Sequence, residues 1–199
     1  MRYTRRDWRN RNRIKTQHGL AWLTIPVRVK GGYFDQKIRD TVVSDPGWNR
    51  LHWKTLVHSY SKARYFNTYR DLFADLYFGA TEAHLSCINR RFLSAICGLL
   101  GIRTKLSSSM DYSLIEGKTE RIVHLCRQAG ATEYVSGPTA RAYLDERLLR
   151  EAGIAIQYMS YSGYPEYRQL NPPFEHAVSI VDLIFNEGPN ATQYMITFR

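Results

Sequence analysis

The sequence predicts an α/β fold: a mostly parallel sheet with helices on both faces, a Rossmann-like three-layer sandwich, carrying an inserted helical segment. Three observations predict it. Short apolar runs alternate with helix-length segments in the second half of the chain, the pattern of βαβ units. Each run (Ile102 to Leu106, Tyr134-Val135, Ile154 to Met159) is followed by small polar residues: Ser107-Ser108-Ser109, Ser136-Gly137-Pro138-Thr139 and Ser160-Tyr161-Ser162-Gly163. From residue 48 to 100 the apolar spacing is helical instead. In a parallel sheet, the loops leaving the carboxyl ends of the strands collect function. The three polar loops are therefore expected on one rim.

Residues 1 to 19 read as a basic, polar arm, with Trp8 its large apolar residue. Leu20 to Val29 is rich in branched and aromatic side chains and predicts a strand, ended by Gly31-Gly32. Ile38 to Val43 predicts a second short strand, before the turn signal Asp45-Pro46-Gly47. Trp48 to Phe78 is helical by spacing, with a break expected near residues 64 to 67, because thirty unbroken residues exceed the usual length. Thr81 can cap a helix running from about Glu82 to Leu100, with Gly101 as its C-terminal glycine. Further helices are expected over Gly117 to Gln128, Ala142 to Glu151 and Ser179 to Asn186, with Gln193 to Phe198 a strand or a frayed end. The 199 residues suit a single domain, 1–199, in which 48–100 is the helical segment.

Composition narrows the class. Hydrophobic residues make up 44% of the chain, enough for a core and too many for global disorder. The net charge is +10, which favours anionic partners: nucleic acid, an anionic surface or phosphorylated metabolites. Arg2, Arg5, Arg6, Arg9, Arg11, Arg13 and Lys15 crowd the first fifteen residues against one acid, Asp7. The three cysteines, Cys87, Cys97 and Cys126, have no zinc or redox spacing and read as small buried hydrophobes in a reducing compartment. No apolar run approaches the roughly 20 residues a membrane span needs, and the start has no signal-peptide core, so the expected location is the cytoplasm.

No dinucleotide fingerprint, phosphate loop or His-Glu-x-x-His is present, so no cofactor and no metal are expected. Ser107-Ser108-Ser109 could hold a phosphate or carboxylate, or simply cap a turn. Ser136 and Gly137 offer a hydroxyl and a close backbone approach, and Arg141 a forked cation suited to phosphate or carboxylate. Tyr161, Tyr164, Tyr167 and Gln169 lie in a segment poor in aliphatic residues, suited to a cleft wall or an exposed loop. His58 and His176 are candidate bases if they face the strand ends, and structural residues otherwise.

In this order and spacing, several segments resemble the WbqC-like proteins. They are WRNRNRIKT and GLAWLTIPV, the Trp53 to Phe66 pattern, GIRTKLSSS, YVSGPTARAYLD, GYPEYRQL and FEHAVSIVDLIFNEGP. The positions matching the recurring pattern are Asn10, Arg11, Asn12, Trp22, His58, Tyr65, Ser108, Ser136, Gly137, Tyr143, Tyr167, Gln169, Ser179 and Asp182. The resemblance implies transfer of an acyl or aminoacyl group, such as glycyl, to an amino sugar in bacterial cell-surface polysaccharide (O-antigen) biosynthesis. It also implies that family members begin about thirty residues earlier, so the chain is expected to lack an N-terminal strand.

Together these readings make His58 and Ser108 the candidate catalytic residues. Arg11, Arg13, Ser136, Gly137, Arg141, Tyr161, Tyr164, Tyr167 and Gln169 are the candidate contacts for an anionic nucleotide- or lipid-linked sugar. The alternatives are a basic nucleic-acid-binding protein and a non-catalytic fragment.

Overall fold

The computed structural model describes Tyr3, residues 8–29 and residues 36–196. Arg2, Arg5 and Arg6 of the basic arm, Gly31-Gly32 and the last residues of the expected tail lie outside the described residues. Two compact units divide the chain: Met1–Arg103 with Tyr164–Arg199, and Thr104–Gly163.

The first unit opens with a hairpin. Strand β1 (Arg11–Thr16) pairs antiparallel with β2 (Gly19–Thr24), with Arg13 opposite Trp22 and Ile14 opposite Ala21. The polar composition hides β1 from a sequence reading, because only Ile14 on it is apolar. Successive side chains point to opposite faces, and the inner face buries Ile14 against Ala21 and Leu23. The turn Gln17-His18 ends on Gly19 at φ +100, which glycine adopts freely.

Three helices follow: α1 (Trp48–Tyr60), α2 (Phe66–Phe78) and α3 (Leu85–Leu99). The expected break in the long helical stretch falls at residues 61–65. Helix α3 starts three residues later than expected, after His84 rather than the Thr81 cap. The expected strand over Ile38 to Val43 is instead a 3-10 turn, Ile38–Asp40, followed by isolated bridges from Val42 to His84 and from Val43 to Val27. Helix α6 (Ile180–Glu187) follows, capped by the Ser179 hydroxyl, and a 3-10 segment, Gly188–Tyr194, takes in the first two residues of the expected Gln193 to Phe198 tail. Phe185 of α6 is fully buried, with its ring centroid 5.5 Å from Tyr60, 5.1 Å from Phe66 and 5.0 Å from Phe73. Truncating such a ring to alanine costs about 3–5 kcal/mol. His52 of α1 donates through Nε2 to the Thr24 carbonyl at 3.0 Å, tying α1 to β2, and burial lowers its pKa.

The second unit has helix α4 (Thr119–Gln128), strand β3 (Glu133–Ser136), a 3-10 turn (Pro138–Ala142), helix α5 (Glu146–Glu151) and strand β4 (Ala155–Tyr158). Strands β3 and β4 pair in parallel, Glu133 with Ala155 through Ser136 with Tyr158. Their inner positions pack with Cys126, Leu144, Leu149 and Ile154. The expected Ala142 to Glu151 helix is shorter, because Asp145 caps a new start at Glu146 by accepting the Arg147 N–H at 3.0 Å.

The three-layer sandwich is therefore corrected. Among the described residues the strands form one antiparallel pair and one parallel pair, not a large parallel sheet. Ile102 to Leu106, the first expected strand of that sheet, is not a strand. Its composition, two aliphatic residues flanking Arg103, Thr104 and Lys105, does not supply a strand partner. A second correction concerns the cysteines: Cys126 is buried, but Cys87 is exposed. No helix among the described residues is long and apolar enough to cross a membrane.

Candidate functional site

In the first unit a buried polar cluster forms around Asp182, the third residue of α6 and only 1% exposed. One carboxylate oxygen accepts the Tyr167 hydroxyl at 2.7 Å, Gln169 Nε2 at 3.0 Å and Asn186 Nδ2 at 3.3 Å. The other accepts the Tyr60 hydroxyl at 2.8 Å. The Tyr60 oxygen in turn accepts the backbone N–H of Lys15 at 3.0 Å. Charged acceptors strengthen such bonds, and a buried carboxylate needs them. Burial raises the Asp182 pKa, opposed by the donors from Tyr167, Tyr60, Gln169 and Asn186. Burial followed by the Asp182 charge raises both phenols, Tyr60 and Tyr167, far above their ordinary value. Both phenols thus keep their protons in the arrangement seen: the tyrosines donate and the Asp182 oxygens accept.

The cluster fixes two further segments. Gln169 accepts the Glu175 N–H through Oε1 and donates to the Glu175 carbonyl through Nε2, both at 2.9 Å, which folds the 169–175 loop back on itself. The Lys15 ammonium, also buried, donates to the Pro173 carbonyl of that loop. The N–H of Ser179, the cap of α6, donates to the Arg13 carbonyl at 2.7 Å. Hairpin, loop and helix start are therefore locked by one polar network.

Beside this network, β1 presents a pair of cations. Arg11 and Arg13 alternate along the strand and so share a face, while Lys15, next in that register, is buried and engaged by the Pro173 carbonyl. The Arg11 guanidinium lies 4.0 Å from the Trp22 ring centroid and that of Arg13 5.6 Å from it. Trp22 is 51% exposed, so one side of the indole is stacked by arginine and the rest meets solvent. Two buried polar atoms at the start of this strand, Arg11 Nε and Asn10 Oδ1, have no protein partner. Chemically this face can take an anion, with flat donors for phosphate or carboxylate and an aromatic surface for a ring.

The second unit brings a different set together. Ser136 and Tyr158 end the paired strands side by side, so the loops after β3 and β4 are neighbours, as expected for those two. At Gly137 a Cβ would sit 3.3 Å from the Tyr161 hydroxyl, tight contact that favours glycine. The Arg141 guanidinium lies 4.4 Å from the centroid of the Tyr158 ring. Ser108 forms a capping box: its hydroxyl accepts the Met110 N–H at 3.2 Å and Asp111 accepts its N–H at 2.8 Å.

The expected site residues thus divide between the units. Arg11 and Arg13 share a face, and Tyr167 and Gln169 meet on Asp182, in the first unit; Ser136, Gly137 and Tyr161 adjoin in the second. His58 is exposed on α1, and Tyr164 is half-buried at the start of the returning segment. Tyr60 and Lys15 are additions that sequence reading passed over, one as a member of an apolar helical stripe and one as part of an arm. The signal for the cluster was Asp182 itself, a lone carboxylate inside the run SIVDLIF. Among the described residues no group of three or more His, Cys, Asp or Glu gathers as a metal site would.

The family model for the WbqC-like protein family matches residues 1–194. The chain belongs to the WbqC-like protein family. It is 52% identical over 195 residues, 98% of this chain and 84% of the relative, to the uncharacterized protein Rv1507c of Mycobacterium tuberculosis. No solved structure matches it. Of the positions matched by the resemblance, Tyr167, Gln169, Ser179 and Asp182 lie in the polar network, Arg11 and Trp22 stack on the adjoining face, and Ser108, Ser136, Gly137 and Tyr143 belong to the second unit.

Proposed function

We propose that this WbqC-like protein is a transferase that moves an acyl or aminoacyl group, such as glycyl, to an amino sugar in bacterial cell-surface polysaccharide biosynthesis. The observation that carries the reading is the Arg11–Arg13–Trp22 face, braced from beneath by the Tyr60–Asp182 network. A sugar activated through phosphate, nucleotide- or lipid-linked, is an anion with a ring. Paired guanidiniums beside an indole suit both parts. Such precursors are built on the cytoplasmic side, where we place the protein.

Acyl transfer to an amine requires a free amine, an electrophilic carbonyl and donors for the oxyanion that forms between them. His58, exposed on α1 in the first unit, is the candidate to take the amine's proton; Ser108 and the Ser136-Gly137 turn are candidate hydrogen-bond donors of the second unit, each taken by itself. Asp182 is excluded from that task by its burial and its engaged oxygens, and is a positioning residue.

The test incubates the purified chain with aminoacyl-tRNA or acyl-thioester donors and nucleotide-linked amino sugars. Mass spectrometry should show a sugar heavier by one acyl residue, lost in the Arg11→Ala/Arg13→Ala variant. Deletion of the gene should leave surface polysaccharide short of that same group. A polysaccharide of unchanged mass would sink the assignment. If the face instead serves nucleic acid, RNA or DNA affinity falls steeply as salt rises.

A further inference from the structure

An open cleft of about 610 Å³ lies in the first unit, lined by Pro46, Arg50, Trp53, Lys54, Phe78 and Thr81 among others. None of the candidate site residues contributes to it. We infer that this cleft is a second, separate anion site, which takes a diphosphate carrying an apolar or aromatic group.

Its size falls within the range of small-molecule sites. Arg50 and Lys54 stand four residues apart on α1, so they face the same way one turn apart, roughly 6 Å between Cβ atoms. That spacing suits two linked phosphates better than one carboxylate. No acid lines the cleft, and among the described residues no carboxylate pairs with either cation. Ordinarily exposed cations on a helix find carboxylates at neighbouring turns; here the surrounding positions on the cleft side are Pro46, Trp53 and Phe78 instead. Phe78, the last residue of α2, leaves 49% of its surface to solvent. An exposed phenyl ring beside two unpaired cations matches a ligand charged at one end and apolar at the other. The Thr81 hydroxyl adds a hydrogen-bonding group at the rim.

A nucleoside diphosphate and a prenyl diphosphate share this chemistry. The inference does not rest on the transferase reading, since it concerns binding alone. Calorimetry of the full chain with uridine diphosphate, geranyl diphosphate and inorganic pyrophosphate tests it. At least one of the two substituted diphosphates should bind, with pyrophosphate about tenfold weaker or more, and which one binds identifies the source. Arg50→Ala and Lys54→Ala should each weaken binding by about tenfold, the loss expected for one charge-assisted contact. Phe78→Ala should weaken the substituted diphosphate while leaving pyrophosphate unchanged. These are surface positions, and circular dichroism would confirm that each variant folds. Equal affinity in the wild type and in Arg50→Ala/Lys54→Ala overturns the inference. So does binding abolished by Arg11→Ala/Arg13→Ala yet retained in the cleft variants, an outcome that would favour the hairpin face instead. Failure of both substituted diphosphates to bind the wild type also overturns it, and leaves the transfer assay unaffected.

Discussion

Tyr60 and Asp182 stand 122 residues apart in the sequence and share a hydrogen bond of 2.8 Å in the buried interior of the first unit. Through its oxygen Tyr60 also receives the backbone N–H of Lys15, so one phenol joins α1, α6 and β1. Replacing Tyr60 with Phe keeps the ring and deletes the junction. It leaves a buried donor and a buried carboxylate oxygen short of a partner, which costs about 1–3 kcal/mol. Urea denaturation should show a lower midpoint with an unchanged slope.

Asp182 gives a pH test. Its folded pKa is raised above the ordinary 3.8, chiefly by burial. A raised folded pKa means that the folded state holds the proton more tightly than the unfolded state. The associated stability is therefore fully present below about pH 3.8 and is lost as pH climbs through the folded value. Asp182→Asn cannot titrate and should be less stable than wild type, because its amide cannot accept all four donors. The stability gap between the two should shrink as pH rises from the acid side. A gap that widens with pH would mean that the donors outweigh burial.

Gln169 holds the 169–175 loop closed through its paired contacts with Glu175. Gln169→Ala should speed hydrogen exchange at the Glu175 amide by an order of magnitude or more, since about 1.4 kcal/mol is tenfold. Amides in the middle of α2 should exchange more nearly at their wild-type rates.

Two glycines should respond in opposite ways. Gly188 has φ +54, and a Cβ there would lie 2.5 Å from Cγ of Tyr65. Gly188→Ala combines a strained backbone with a clash against a ring, and should cost about 2–4 kcal/mol. Gly98 sits inside α3 with open space where a Cβ would go, so Gly98→Ala should be neutral or gain up to about 1 kcal/mol. Thermal melts of the two variants decide the comparison.

The helices were legible because their apolar spacing is local. Leu56 and Tyr60 on α1, and Phe73 and Leu76 on α2, repeat at three and four residues and are buried, while Leu51 and Leu72 of the same pattern stay exposed. The break before Phe66 was legible from the length of the stretch, which exceeds that of a usual helix. Strand β1 was not, since Ile14 is its one apolar residue and even the buried position beside it is a lysine, Lys15. Ile102 to Leu106 has strand-like composition, but pairing depends on a partner the local sequence does not specify. Arg11, Tyr167 and Gln169 stood out by type. The links that organise them, Tyr167 and Gln169 to Asp182 and Tyr60 to Lys15, are tertiary, and no one-dimensional spacing reveals them.

Phe185 packs among Tyr60, Phe66 and Phe73, core rings made more than a hundred residues earlier. A nascent chain must therefore hold those rings without Phe185 through the whole of translation up to α6. Closing so distant a contact is slow, and exposed apolar surface invites association while it waits. Yield on expression should thus depend on chaperone capacity and on temperature more than the finished protein's resistance to unfolding would suggest.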